Sequence, residues 1–241
     1  MAFSWETLRV DGSDMPVYMT VPDGDGPFPA VVVIQAADGV DEFIQTIAGR
    51  LADAGYAAAA PSLYHRTTEE IEKAKGKTRR QLLDDPEIVA DVNAAVAFLR
   101  QHPSVDRGRI GITGFCMGGR VVWLAAATNP NFKAAVPYYG GFMMDCWGEG
   151  TQSPFDLSDG INCPILYHFG EIDRNPSLED MAKFDEQLTR LGKPHQFYTY
   201  PDADHRFADF TFTNYQKAAE ELAWSRTLEF FAANLKGASA A

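Results

Sequence analysis

Cysteine is scarce in this chain, which holds only Cys116, Cys146 and Cys163 among its 241 residues. An odd, low count gives no disulfide framework. No two cysteines have the C-x-x-C spacing of a structural zinc site or a thioredoxin-like motif. The five histidines include no pair with a metal-hydrolase spacing such as H-E-x-x-H. The sequence therefore predicts no metal site.

Positive charge is also sparse, with 21 Lys and Arg against 33 Asp and Glu and a formal net charge of −12. Nucleic acid or an anionic membrane would need a basic face, so we expect neither as a partner. No apolar run approaches membrane-spanning length, and the N-terminal MAFSWETLRV lacks the basic and apolar regions of a secretory signal. These absences predict a cytoplasmic protein, where a free thiol persists.

Apolar residues are plentiful at 46%, and 241 residues without repeat or linker fit a single domain over 1–241. Buried apolar runs alternate with amphipathic helical patterns. This alternation predicts an α/β fold with a mostly parallel sheet and helices on both faces. The predicted strands cover 3–10, 16–21, 30–35, 56–61, a run from Ile110, 134–139, 164–169 and 196–200; the predicted helices cover 42–54, 86–100, 118–127, 177–191 and 213–235.

Three other segments have no such pattern. The charged residues 68–83 predict an exposed helix or loop, and residues 142–160 predict a longer loop over the site. The tail GASAA is expected to fray.

The most informative stretch runs from Ile110 to Arg120 and reads IGITGFCMGGR. Gly114 and Gly118 flank Cys116 at two residues on either side. This is the spacing of the nucleophile elbow of α/β-hydrolases, with cysteine in place of serine. The small flanking residues let strand and helix approach closely around a strained nucleophile. The alternative is a glycine-rich turn around a buried cysteine.

The elbow also predicts an oxyanion hole. The turn directs the helix N-terminus and the Met117 N–H toward the reacting centre, where negative charge develops. A second N–H is expected from Ala37, in the loop after the strand 30–35.

His205 is the predicted base, because it lies after the last predicted strand and before the terminal helix. His168 lies inside an apolar strand, and His195, His65 and His102 lie at a strand start, in a loop or at a helix end. The predicted carboxylate is Asp173, favoured over Glu171, in the loop after the strand that ends at Gly170. A turn or N-cap role is the alternative for Asp173.

The chain order Cys116, Asp173, His205 is the order of nucleophile, acid and histidine in the α/β-hydrolase fold, which is therefore the predicted fold. In this interpretation Cys116 attacks a carbonyl carbon as thiolate, and His205 holds its proton and later activates water. Asp173 fixes the imidazole tautomer.

Several motifs spread over the chain carry a resemblance to a known family. They are VVVIQ at 31–35 with Gly39-Val40, GYAAAAP at 55–61 with Leu63-Tyr64, GITGFCMGG at 111–119, YYG at 138–140, G-x-x-D at 170–173, and Asp204-His205. With these motifs the chain resembles the dienelactone hydrolase family (carboxymethylenebutenolidase-like). The resemblance implies hydrolysis of a small lactone or carboxylic ester through an acyl-thioenzyme, without metal or organic cofactor.

Two positions depart from the family pattern. A glutamate that holds the resting thiol neutral is replaced by Ala36, so we hypothesise that Cys116 pairs directly with His205 and has more thiolate character at rest. An arginine four residues after the histidine is replaced by Asp209. Arg206 is then the expected substrate-carboxylate ligand, with Arg79 or Arg80 as second cation.

Tyr64, Tyr139, Trp147 and Phe207 are candidates for an apolar substrate pocket, with ordinary packing as the alternative for each. Besides the hydrolase, a second hypothesis for the function is a thiol-redox or oxidant-sensing protein that uses Cys116. A non-catalytic binding module on the same fold is a third. We expect a monomer by default.

Overall fold

The computed structural model describes residues 1–237. An eight-stranded sheet has the strand order β1-β2-β4-β3-β5-β6-β7-β8. Its strands are β1 (Ala2–Val10), β2 (Ser13–Val21), β3 (Phe28–Ile34), β4 (Ala57–Pro61), β5 (Val105–Phe115), β6 (Phe132–Tyr138), β7 (Ile165–Gly170) and β8 (His195–Tyr200). Its helices are α1 (Glu42–Asp53), α2 (Glu69–Lys75), α3 (Asp85–Gln101), α4 (Met117–Thr128), α5 (Leu178–Arg190) and α6 (Lys217–Phe231).

The sheet is mostly parallel, as predicted. β1 and β2 form an antiparallel hairpin, and β2 also runs antiparallel to β4. All pairings from β4 through β3 to β8 are parallel. The carboxyl ends of these parallel strands meet at one edge, where α/β folds place their sites. The predicted α/β-hydrolase fold is confirmed.

The core has two layers because each strand buries alternate residues on opposite faces. In β3, Val32 and Ile34 belong to the core layer that also contains residues of α3, α4 and α5, while Val31 and Val33 belong to the layer that contains residues of α1 and α6. β-branched residues fit such a doubly buried strand. Helices therefore cover both faces, as the alternation in the sequence predicts.

Side-chain caps fix several helix starts. The Asp41 carboxylate accepts the Ile44 N–H at the start of α1, and Ser177 and Asp180 form a capping box at α5. α4 is different, because its N-cap residue is Cys116 and no side chain caps its first turn.

The terminal helix begins later than predicted. α6 starts at Lys217, because residues 209–216 form turns instead of helix. The Asp209 carboxylate accepts the backbone N–H and the hydroxyl of Thr211, and the Gln216 N–H donates to the Phe207 carbonyl. These contacts outweigh the helical pattern that the sequence has from residue 213 onward.

The charged segment 68–83 is exposed, as expected. It forms α2, which buries no residue, and a short 3-10 turn at Arg79–Leu82. The tail expected to fray lies at 237–241, of which residues 238–241 are outside the described residues. Among the helices of residues 1–237, none is both long and apolar enough to cross a membrane.

Candidate active site

Cys116 lies on a sharp turn between β5 and α4, with φ 57° and ψ −121°. The close packing around this turn requires glycine two residues before and two residues after Cys116. A Cβ at Gly118 would lie 2.5 Å from the Gln35 carbonyl oxygen and 2.6 Å from that of Ile34. A Cβ at Gly114 would lie 2.6 Å from the Gly118 carbonyl oxygen. β3, β5 and α4 can therefore approach closely only around small residues, and the strain holds the thiol at the strand ends.

The three side chains predicted to act together form one hydrogen-bonded chain. His205 Nε2 lies 3.1 Å from Cys116 Sγ, and His205 Nδ1 lies 2.8 Å from Asp173 Oδ2. The other Asp173 oxygen accepts the Asn175 N–H at 2.9 Å. The Tyr139 ring packs edge-on against the imidazole, at 5.2 Å between centroids. Asp173 and Tyr139 thus hold the imidazole in line with the sulfur.

The charges of this chain favour a thiolate and an imidazolium. Burial raises the pKa of the Cys116 thiol, but the hydrogen bond and charge of His205, with the Met117 N–H, outweigh it and leave that pKa lowered. Burial lowers the pKa of His205, but its hydrogen bonds to Asp173 and Cys116 raise it to about 10. The hypothesised direct pairing of thiol and imidazole is therefore present in the geometry.

The predicted oxyanion residues line the same cleft as Cys116. Met117 supplies the first N–H of α4, and Ala37 lines the same cleft from the loop after β3. The Tyr64 hydroxyl donates to the Ala37 carbonyl at 3.0 Å. Burial raises the pKa of Tyr64 to about 12, so this hydroxyl keeps its proton at neutral pH. Tyr64 therefore supports the loop that carries Ala37.

A cleft of about 600 Å³ opens above the triad. Phe142 and Ile172 give it apolar walls, Arg80 and Arg174 give it positive charge, and Asp204 adds a carboxylate besides that of Asp173. The Arg80 guanidinium lies 5.5 Å from the Phe142 ring centroid. The cleft can therefore hold a small molecule that combines an apolar part with an anionic group.

Arg206 does not line this cleft, contrary to the expectation that it binds a substrate carboxylate. Its guanidinium donates to Asp209 at 2.5 Å, pairs with Asp38 at 2.7 Å and stacks on Phe212 at 3.9 Å. Asp209 is itself buried. The charge of Arg206 is thus neutralised by two carboxylates of the protein.

None of the four candidate pocket aromatics lines the cleft either, and Tyr139 is fully buried against the His205 imidazole. Phe207 is fully buried and packs on Tyr139, with ring centroids 5.4 Å apart. Trp147 lies under the guanidinium of Arg120 at 3.8 Å and lines a neighbouring cavity. Tyr64 lies behind the loop of Ala37. These residues therefore occupy packing positions, which was the alternative to a role in the substrate pocket.

Two groups that shape the cleft were not predicted from the sequence. Arg174 directly follows Asp173 in the chain, and that adjacency was the available signal. The buried pair of Arg120 and Asp85 fixes the 142–147 segment, whose Phe142 lines the cleft. No local pattern marks this pair.

Comparisons with known proteins agree with this architecture. Residues 15–235 match the model of the Dienelactone hydrolase family. The chain is 37% identical over 231 residues to a protein of Escherichia coli strain K12 provisionally named carboxymethylenebutenolidase, covering 93% of this chain and 84% of the relative. It is 31% identical over 240 residues to a Bradyrhizobium protein provisionally named 2-oxo-3-(5-oxofuran-2-ylidene)propanoate lactonase, covering 98% and 96% of the two chains.

A solved structure gives the same result. The crystal structure of a provisionally named dienelactone hydrolase from Klebsiella pneumoniae subsp. pneumoniae MGH 78578 superposes with a TM-score of 0.86 at 31% identity. The match covers 96% of this chain and 98% of that one. The chain therefore belongs to the dienelactone hydrolase family and is a carboxylic ester or lactone hydrolase.

Proposed function

We propose that the chain hydrolyses a small anionic lactone or ester through a thioester on Cys116, with Cys116, His205 and Asp173 as its catalytic residues. The observation that carries this proposal is the unbroken chain from Sγ through the imidazole to the Asp173 carboxylate at the floor of the cleft. The lowered pKa of Cys116 supports attack by thiolate, which is the nucleophilic form.

Acylation begins when the Cys116 thiolate attacks the carbonyl carbon and the carbonyl oxygen becomes an oxyanion. In this proposal the N–H groups of Met117 and Ala37 stabilise that oxyanion. Collapse re-forms the carbonyl and breaks its bond to the leaving alkoxide or enolate, which takes the proton of the His205 imidazolium. In a lactone this leaving group stays attached to the acyl chain.

Deacylation reverses these roles. Neutral His205 takes a proton from water, and the resulting hydroxide attacks the thioester carbon. The second tetrahedral intermediate expels the Cys116 thiolate and leaves a carboxylic acid. His205 ends protonated, so the resting ion pair is restored, and Asp173 stabilises that charge throughout.

The cations of the cleft support an anionic substrate. Arg80 and Arg174 line it, while Arg206 is neutralised by the protein itself. Arg80 was one of the two candidates for a substrate cation. The names of the relatives describe lactones that also carry a carboxylate. A butenolide or related unsaturated lactone with a carboxylate side chain is therefore the proposed substrate class.

The test compares hydrolysis of cis- and trans-dienelactone and a series of p-nitrophenyl esters by wild type, Cys116→Ala and Cys146→Ala. Cys146 is exposed, so its variant controls for loss of a thiol. Lactone hydrolysis lost only in Cys116→Ala supports the proposal. Hydrolysis of the p-nitrophenyl esters but not of the lactones supports the mechanism and contradicts the proposed substrate class. Turnover of neither, with a reactive thiol, contradicts the proposal and favours the redox or binding hypotheses.

A further inference from the structure

Arg206 forms a bridge between two loops of the site. One is the oxyanion loop, residues 36–39, and the other is the histidine loop, residues 203–212. Its guanidinium holds Asp209 within the histidine loop and Asp38 across the gap, at 2.5 and 2.7 Å. The Arg206 side chain is 10% exposed and its backbone has φ 66°. A strained, buried and fully paired arginine is suited to fix geometry.

Asp38 is held from two sides. Its carboxylate meets Arg206, and its backbone carbonyl accepts a hydrogen bond from Arg79 at 3.0 Å. Arg79 in turn stacks on Tyr64 at 4.6 Å, and the Tyr64 hydroxyl holds the neighbouring Ala37 carbonyl. Every contact in this set bears on the same short loop.

Resting on the proposed function, we propose that Asp38 and Arg206 are positioning residues, whose ion pair fixes the oxyanion loop so that the Ala37 N–H meets the developing oxyanion. His205 directly precedes Arg206, so the same bridge ties the base and the oxyanion hole into one unit. Misplacement of a stabilising donor by a fraction of an ångström weakens the transition state more than the ground state. The pair therefore acts on the rate of acyl transfer and leaves substrate affinity little changed.

Two reactions of the Cys116 sulfur distinguish an effect on the oxyanion hole from an effect on the reactivity of the thiol itself. Acylation of Cys116 by an ester passes through an oxyanion, whereas alkylation by iodoacetamide displaces iodide and forms none. A loose oxyanion loop slows the first reaction only. The two rates are compared on their high-pH plateaus, where a change in thiolate fraction has no effect.

The experiment measures both rates, with alkylation followed on the peptide that contains Cys116, for wild type, Asp38→Asn, Asp38→Glu and Asp14→Asn. Asp38 is half exposed, so the substitution is compatible with folding, which thermal melting verifies. Asp14 pairs with Arg9 on the exposed β1–β2 hairpin and controls for the lost charge. The esters are neutral p-nitrophenyl acetate and the anionic p-nitrophenyl hemiglutarate.

We expect Asp38→Asn to lower the acylation rate by about ten-fold with both esters, with KM and alkylation changed by less than about two-fold. Asp38→Glu keeps the charge and should retain most of the rate, and Asp14→Asn should match wild type. Unchanged acylation overturns the proposal, as does an equal fall in alkylation. A KM that changes by more than about two-fold for the anionic ester alone also overturns it, since that result makes the Asp38–Arg206 pair act on substrate binding. If the wild type shows no ester hydrolysis that depends on Cys116, that result contradicts the proposed function itself and not the positioning role of Asp38 and Arg206.

Discussion

Arg120 is fully buried and binds two segments at once, the start of α3 and the 142–147 segment. Its guanidinium pairs with Asp85 through two hydrogen bonds of 2.6 and 2.9 Å, and it donates to the carbonyls of Phe142 and Asp145. Its cationic face covers Trp147. Arg120→Met leaves the Asp85 carboxylate buried without its cation. We expect this variant to lose about 3–5 kcal/mol of unfolding free energy, the range for breaking a buried ion pair.

Urea unfolding followed by tryptophan fluorescence measures this loss, which corresponds to a melting temperature lower by about 6–20 °C for a chain of this size. Arg9→Met is the matched control. Its ion pair with Asp14 is exposed, so its loss should stay below about 1 kcal/mol. Adding Asp85→Asn to Arg120→Met removes the stranded charge and should recover at least about 1 kcal/mol. A cost of Arg120→Met below about 1 kcal/mol, or no recovery in the double variant, would refute the reasoning.

Three further outcomes are expected. Asp173→Asn should lower kcat by about 10²–10⁴-fold. It should also move the rise of iodoacetamide alkylation to higher pH, because the imidazolium that stabilises the Cys116 thiolate loses its carboxylate; an unshifted alkylation profile contradicts this. Gly118→Ala should destabilise the fold by about 1–3 kcal/mol in urea, whereas Gly49→Ala inside α1, where a Cβ meets nothing closer than 3.8 Å, should stabilise it. Arg80→Met should raise KM about ten-fold for the anionic lactone and leave neutral esters unchanged, and equal effects on both would exclude a charge-selective role.

The parts of the fold and site that the sequence predicted are those that local pattern and chain order determine. The elbow is a short motif with a steric cause, so Gly114 and Gly118 could be identified before the structure. The sheet follows from apolar runs, and the order of Cys116, Asp173 and His205 follows from the fold. The structure brings these three side chains into contact.

The rest depends on where loops meet, which no local pattern encodes. Arg206 follows His205 in the chain and was expected in the cleft, but its contacts with Asp209 and Asp38 take it elsewhere. Trp147 was expected in the pocket, but the buried guanidinium of Arg120 attracts its ring. Both outcomes arise from ion pairs and stacking between separate segments. Such contacts determine which of the candidate arginines remains unpaired and available to a substrate.

The proposed mechanism requires a covalent acyl group on Cys116. Rapid-quench mass spectrometry of the protein mixed with p-nitrophenyl acetate tests it most directly. We expect one added acetyl group, mapped to the peptide that contains Cys116, which forms during the first turnover and decays at the rate of steady hydrolysis. Hydrolysis that proceeds with no acetyl group on Cys116, or that persists in Cys116→Ala, would contradict it.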